Sequence, residues 1–255
     1  QRAVVPPSLD TDSDIEGLFL SHSHADHCGL LTELPGRWPV FCGQDTEQLL
    51  SLNPGFVRQP LRQPVNTWAR HGSPTVKAGP FTVAPRLIDH SAFDAYNFMI
   101  EVDGRRIFYS GDFRDHGRKG QLTRQLLEHP PRKVDVLIME GTNLPSEGRQ
   151  SKPLITESEL EADFLKLFSS ARGRVFVTCS SSNIDRLVTL YRACKRAGRL
   201  LVMDLYCATV WREMRRFAPG LPALTADNLV RVVVTRNMVR VLGGLGYDDP
   251  VPEFI

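Results

Sequence analysis

Four potential metal ligands fall within six residues, as His22-x-His24-x-Asp26-His27, directly behind the apolar run Leu18-Phe19-Leu20. Imidazoles and carboxylates are the donors that a borderline cation such as Zn²⁺ prefers. A chance gathering of His and Asp in a loop or helix cap is the ordinary alternative, and this spacing behind a strand argues against it. On an extended backbone His22 and His24, two residues apart, point the same way. Asp26 and His27 lie past a bend, where the chain turns into a helix, and face a second position. One loop thus starts two adjacent metal sites. Neither is complete, because Zn²⁺ takes three or four ligands.

Two other strand ends offer the missing donors. Asp89-His90-Ser91 closes an apolar strand expected over 81–87, and Gly111-Asp112 closes one expected over 106–109. His90 alone reads as a hydrogen-bonded histidine and Asp112 alone as a turn aspartate. Both lie beside turn residues at strand ends, as the first motif does.

The remaining pattern alternates apolar runs with helical stretches, which points to α/β layers. Short strands are expected over 18–20, 40–42 and 98–102, with a helix near 46–52. Residues 53–80 hold Pro54, Pro60, Pro64, Pro74 and Pro80 and read as loop. Asp103-Gly104 reads as a hairpin turn. Residues 134–139, apolar but for Asp135, are expected to be a strand covered on both faces. Residues 144–153 read as a linker, and Thr156 with Glu159 forms a capping box for a helix whose Leu160, Phe164, Leu167 and Phe168 share one face. A β-α-β-α-β series follows, with strands over 174–178, 200–203 and 230–234, helices over 184–196 and 208–217, and Gly198 ending the first helix. A domain boundary is placed near residue 145.

The formal charge of +2 conceals an uneven distribution. Residues 171–240 hold 13 Lys and Arg against four acids (Asp185, Asp204, Glu213 and Asp227), a balance of +9. Such a segment attracts a polyanion, or is the solvated face of an Arg-rich chain. The five cysteines, Cys28, Cys42, Cys179, Cys194 and Cys207, match no paired spacing and read as free thiols, hence a cytoplasmic location. Cys28 reads as packing, and Trp38, Trp68 and Trp211 as core or surface anchors. No apolar run approaches the ~18 residues of a membrane span, and Gln1–Pro7 lacks the apolar stretch of a signal peptide.

The set His22-x-His24-x-Asp26-His27, then His90, then Asp112 resembles the ligand motifs of the metallo-β-lactamase fold hydrolases. Asp89-His90-Ser91, Ser110-Gly111-Asp112-Phe113-Arg114 and Met139-Glu140-Gly141-Thr142-Asn143 look like the β-CASP branch, ribonuclease J among its members. That resemblance implies an α/β fold: an incomplete metallo-β-lactamase-type αββα sandwich over residues 1–145, with an inserted β-CASP-like parallel α/β domain over 146–255. It implies that His22, His24 and His90 hold one divalent ion, Asp26 and His27 a second, and that Asp112 bridges them. The cofactors would be two Zn²⁺ ions, with Mn²⁺ an alternative. Glu140 would act beside the site as a supporting or acid–base group. No strands are read ahead of the one over 18–20 that leads into the first motif, and no histidine follows His129. The expectation is therefore an internal fragment lacking N-terminal strands and C-terminal motifs, with the second metal short of one ligand. His71 and His116 are not promoted to that role.

The turn Thr178-Cys179-Ser180-Ser181-Ser182-Asn183 precedes a helix, where backbone N–H groups bind phosphate. Ser180, Ser182, Asn183 and Arg186 are the candidate nucleic-acid contacts, although Ser182 or Asn183 also suits plain helix capping. The implied function is a dinuclear hydrolase, a nuclease cleaving RNA through a metal-bound hydroxide, with Asp26, Asp112 and Glu140 as catalytic groups. RNA or DNA is the expected substrate partner, with no membrane and a homo-oligomer allowed. The alternatives are an ester, thioester or lactone hydrolase of the same fold, or a nucleic-acid-binding relative that does not cut.

Overall fold

The computed structural model describes residues 15–53, 59–70, 74–142, 154–225, 229–237 and 240. The expected linker, His71 and the chain start lie outside them. The chain divides into two compact units, Gln1–Leu50 with Arg58–Leu154 and Ser51–Val57 with Ile155–Ile255.

The first unit is built on two sheets. Strands β1 (Leu18–Phe19), β2 (Val40–Gly43) and β3 (Val65–Trp68) run parallel in the order β1-β2-β3. Strands β4 (Val76–Ala78), β5 (Phe81–Leu87), β6 (Tyr96–Val102) and β7 (Arg105–Tyr109) form an antiparallel meander, and β8 (Val136–Ile138) joins β7 in parallel. The β6–β7 turn places Asp103 and Gly104 at φ 50° and 72°, the backbone a two-residue hairpin needs. Aromatic side chains join the sheets. Phe19 stacks on Phe41 at 4.6 Å and meets Phe98 edge-on at 6.0 Å, and Trp68 meets Tyr96 edge-on at 5.2 Å. Phe41, Trp68, Ala78, Val83, Tyr96 and Phe98 make one buried cluster, the interleaved core of two stacked sheets. Helices α1 (Ala25–Cys28), α2 (Gln44–Leu52) and α3 (Gly120–Glu128) accompany the sheets.

Several expectations are corrected. The stretch expected to be loop contains β3 and β4; the Pro64 carbonyl accepts the Val40 N–H at 2.8 Å, so the prolines bracket strands rather than dissolve them. The expected doubly covered strand is the edge strand β8, with Val136, Leu137 and Ile138 48%, 59% and 50% exposed. Helix α3 has no counterpart in the sequence reading.

In the second unit, α4 (Glu157–Ser170) opens with the expected capping box: Thr156 N–H donates to Glu159 at 2.8 Å, and Glu159 N–H to the Thr156 hydroxyl at 3.2 Å. Phe168 of that face is buried, whereas Leu167 is exposed. Helix α5 (Ile184–Arg196), strand β9 (Leu201–Asp204), helix α6 (Leu205–Phe217) and strand β10 (Val230–Val233) follow, with β9 and β10 parallel. Residues 174–178 are not a strand; Phe176 lies 91% exposed, so the apolar run found no sheet neighbour among the described residues. Gly198, at φ 64°, ends α5 as expected. Trp38, Trp68 and Trp211 are core residues.

Gly111 closes β7 at φ 57°, and a Cβ there would stand 2.5 Å from the Tyr96 carbonyl oxygen. A left-handed conformation and a backbone clash both penalise any side chain. Gly111→Ala is expected to cost about 3 kcal/mol, read from urea unfolding; unchanged stability would contradict this packing.

Candidate metal centre

The motif emerges where β1 ends. Leu20 N–H binds the Phe41 carbonyl at 2.9 Å, extending the β1–β2 ladder, and Tyr96 N–H binds the Ser21 carbonyl at 2.9 Å, tying this end to the neighbouring sheet. The chain then turns at His24, whose φ of −68° and ψ of 149° are extended, and Ala25 starts α1. His90 follows the end of β5, and Asp112 follows Gly111 at the end of β7.

These strand ends converge. Donor atoms of His22, His24 and His90 lie within 4.8 Å of one another, as do those of His22, His27 and Asp112. His90 Nε2 stands 3.1 Å from His24 Nδ1. The Asp112 carboxylate reaches His27 Nε2 at 3.3 Å and both His22 Nε2 and His90 Nε2 at 3.9 Å. One carboxylate oxygen thus faces both groups. Asp26 stands apart: its side chain is 77% exposed, and its carboxylate lies 3.6 Å from His27 Nε2. It belongs to neither converging group.

Burial, more than electrostatics, favours the neutral form of His22, His24 and His90. Burial, then repulsion from His27, His90 and His24, lowers the His22 pKa to about 2. Burial and the neighbouring histidines and cations lower His90 to about 3, and burial lowers His24 as well. A neutral imidazole keeps one lone pair for a cation. His22 Nε2 is buried and has no hydrogen-bond partner. An orphaned nitrogen among neutral imidazoles and a carboxylate fits a divalent ion, whose ligands are these groups.

Surrounding groups hold the loops. Glu140 accepts the Phe113 N–H at 2.6 Å while its own N–H donates to Ser110 Oγ at 3.1 Å, fixing the chain just after Asp112. Asp89, fully buried, accepts the Gly117 N–H at 2.8 Å and pairs with Arg114 at 3.4 Å. Behind His90, Arg70 Nη2 donates to the Phe93 carbonyl at 2.6 Å, and its guanidinium lies 3.8 Å over the Phe93 ring. Lys119 donates to the same carbonyl at 3.0 Å. Arg70 pairs with Asp45 at 3.3 Å and approaches Asp94 at 3.8 Å, and Asp94 holds Thr46 and Tyr96. The sequence reading missed this brace, because Asp45, Arg70 and Asp94 share no spacing pattern. Cys28 is buried, with its thiol pushed up to about 11 by burial, which suits packing.

In the second unit, Asn183 Oδ1 accepts the Arg186 N–H at 3.2 Å and so caps α5, and Ser180 and Ser182 hydroxyls lie 2.8 Å apart. The Arg186 guanidinium is engaged by the buried Glu157 carboxylate, with contacts of 3.0–3.3 Å, and Thr189 donates to the same carboxylate at 2.7 Å. All five cysteines are free. Among the described residues no helix is long and apolar enough to cross a membrane.

Two packed sheets whose strand ends gather four histidines and an aspartate define an α/β protein with a cluster compatible with metal binding. Residues 1–164 match the family model described as the beta-lactamase superfamily domain, and the chain belongs to that family. It is 26% identical over 199 residues to ribonuclease J of Sinorhizobium meliloti, covering 74% of this chain and 34% of that protein. It is 29% identical over 197 residues to ribonuclease J of Mycobacterium tuberculosis, with the same coverage, and 28% identical over 212 residues to ribonuclease J 2 of Streptococcus pyogenes, covering 78% and 37%. The chain thus spans about a third of the length of these relatives. A crystal structure of a protein of unknown function from Enterococcus faecalis superposes with a TM-score of 0.65 at 20% identity, covering 86% of this chain and 58% of that one.

Asp45 is buried beside Asp94, and burial first, then that second carboxylate, pushes its pKa up to about 7 despite Arg70 and Lys119. Between the unfolded and folded values the native state keeps a proton that the unfolded chain releases. Asp45 therefore contributes less stability as pH rises through that window. Asp45→Asn should gain on the parent protein between about pH 4 and pH 7, measured by urea unfolding; a constant difference would contradict the assignment.

Proposed function

We propose that the chain belongs to a dinuclear metal-dependent phosphodiesterase that cleaves RNA. The observation that carries this reading is one cluster in which two groups of three donors share His22, the second including Asp112, whose Oδ2 also lies 3.9 Å from His90 Nε2. His22, His24 and His90 would hold one divalent ion, His27 and Asp26 the other, with Asp112 between them. Asp26 would join by a side-chain rotation, being at the rim. Zn²⁺ suits this donor set best, and Mn²⁺ is acceptable. Two cations held by these residues would supply an acidified water and offset the negative charge that develops as a phosphodiester is displaced.

The chain's own residues set the geometry. The neutral imidazoles supply fixed lone pairs. Asp112, whose carboxylate lies 3.3 Å from His27 Nε2 and 3.9 Å from His22 and His90 Nε2, would supply negative charge to the cations. Glu140 holds the backbone beyond Asp112 by the Phe113 N–H, and its carboxylate is a candidate to receive or return a proton. The similarity to ribonuclease J proteins and the basic balance of residues 171–240 favour RNA over a small ester.

In this reading residues 1–145 are the metal-binding core and 146–255 the β-CASP-like domain that grips nucleic acid. Ser180, Ser182 and Asn183 contribute hydroxyl and amide groups at the start of α5, and Arg186 shapes that turn from its bond to Glu157. The free cysteines fit a cytoplasmic protein.

Single-stranded RNA incubated with the chain and Zn²⁺ or Mn²⁺ should be cut, and a chelator should stop the reaction. His22→Ala and Asp112→Ala should each lower cleavage at least about 100-fold, with RNA retention on filters unchanged. RNA left intact with both metals, or variants as active as the parent chain, would overturn the proposal.

A further inference from the structure

His90 follows β5 and Asp112 follows β7, but β6 lies between these strands in the sheet. No ladder bond joins β5 to β7, so none sets the spacing of the two ligands. Strands separated by a third lie about 10 Å apart, whereas Asp112 Oδ2 stands 3.9 Å from His90 Nε2. The two loops lean together over the start of β6, and contacts beyond the sheet hold them there.

These contacts are of two kinds. The first is apolar: Phe113 and Leu126 pack against the buried Ile88, Ala92 and Ala95. Apolar contact draws the loops together but has no preferred direction. The second is directional and centres on Asp89, which is fully buried. Its carbonyl accepts the Arg114 N–H at 2.7 Å, its Oδ2 accepts the Gly117 N–H at 2.8 Å, and Arg114 Nε lies 3.4 Å from its Oδ1. Gly117 is fitted to this grip, because a Cβ there would run into the Asp89 carboxylate. Glu140 accepts the Phe113 N–H at 2.6 Å. The two amides that follow Asp112 are thereby both held, one by Glu140 and one by Asp89.

We propose that Asp89 is a positioning residue that sets the distance between His90 and Asp112 and so raises the affinity of the cluster for divalent cations. This inference deepens the metal-site reading and rests on it for its purpose, while the tie itself belongs to the metal-free chain. Asp89 belongs to neither group of converging donors, so it acts through its neighbours. It immediately precedes one ligand, and the segment it grips begins two residues after the other. A buried carboxylate is costly unless paired; here the cost is met by Arg114 and a backbone amide, and the return is a fixed register that packing alone does not give. Groups that orient metal ligands from behind govern affinity in this way.

Asp89→Asn keeps the shape of the side chain but turns an amide N–H towards one of its two donors. In the metal-free variant, hydrogen exchange of the Gly117 amide should quicken about tenfold or more. Zn²⁺ affinity of the folded variant, measured by chelator competition, should fall about 10–100-fold. Arg114→Lys keeps the charge and should lower the affinity in the same direction by less, which keeps the tie measurable if Asp89→Asn does not fold. Leu126→Ala removes apolar contact alone. It should lower stability to urea and leave Zn²⁺ affinity at the parent level, which separates register from general support of the fold. Parent-level affinity in folded Asp89→Asn or in Arg114→Lys, or an equal loss in Leu126→Ala, would overturn the proposal. A parent chain with a slowly exchanging Gly117 amide that binds no Zn²⁺ would instead overturn the metal reading and leave Asp89 as the tie between the two loops.

Discussion

The hydrogen bond from Tyr96 N–H to the Ser21 carbonyl is where the two sheets of the first unit meet at the level of the site. A metal centre assembled from three distant strand ends needs those ends fixed to within fractions of an ångström. The stacked aromatics bring the sheets face to face, and this bond sets their relative height where β1 and β6 pass. Gly111 lets the β7 end come against the same backbone, because it has no side chain to keep Tyr96 away. Local sequence, sheet packing and ligand placement are thus one continuous argument.

Placing the donors together has a cost that the surroundings offset. Burial, and then the neighbouring charges, hold His22, His24 and His90 towards the neutral form, which leaves them open to a cation. The loop bearing His90 receives a second form of support. Its Ala92 and Phe93 carbonyls are held by Lys119 and Arg70, and Arg70 is itself fixed between Asp45 and Asp94. Buried charges are expensive unless matched, and here two acids and two bases are grouped directly behind a ligand loop. The arrangement exchanges stability for a defined loop position.

Much of this was legible in the sequence where a physical rule links spacing to geometry. The alternation of an extended strand makes His22 and His24 neighbours, and turn residues after β5 and β7 mark His90 and Asp112 as strand-end groups. The capping box at Thr156 and the glycine stop at Gly198 are local rules and needed no tertiary context. What escaped is decided by partners far along the chain. Residues 174–178 have strand composition but no strand beside them. Strand β3 hides among prolines because its pairing to β2 begins at Pro64. The apolar run ending in β8 looks doubly buried, yet lies on an edge. The sequence offers Arg186 as a candidate contact but does not show the buried Glu157 that pairs with it. Ser21 carries no signal in the sequence, because the two ring nitrogens near its hydroxyl are brought to it only by the fold.

The central claim is that these side chains converge on a pair of divalent cations. Crystals of the chain grown with Zn²⁺ and measured on both sides of the zinc absorption edge test it directly. The account predicts two anomalous peaks about 3.5–4 Å apart, one among His22, His24 and His90 and the other beside His27 and Asp112. Zinc absent from this cluster, or bound only elsewhere on the chain, would contradict it.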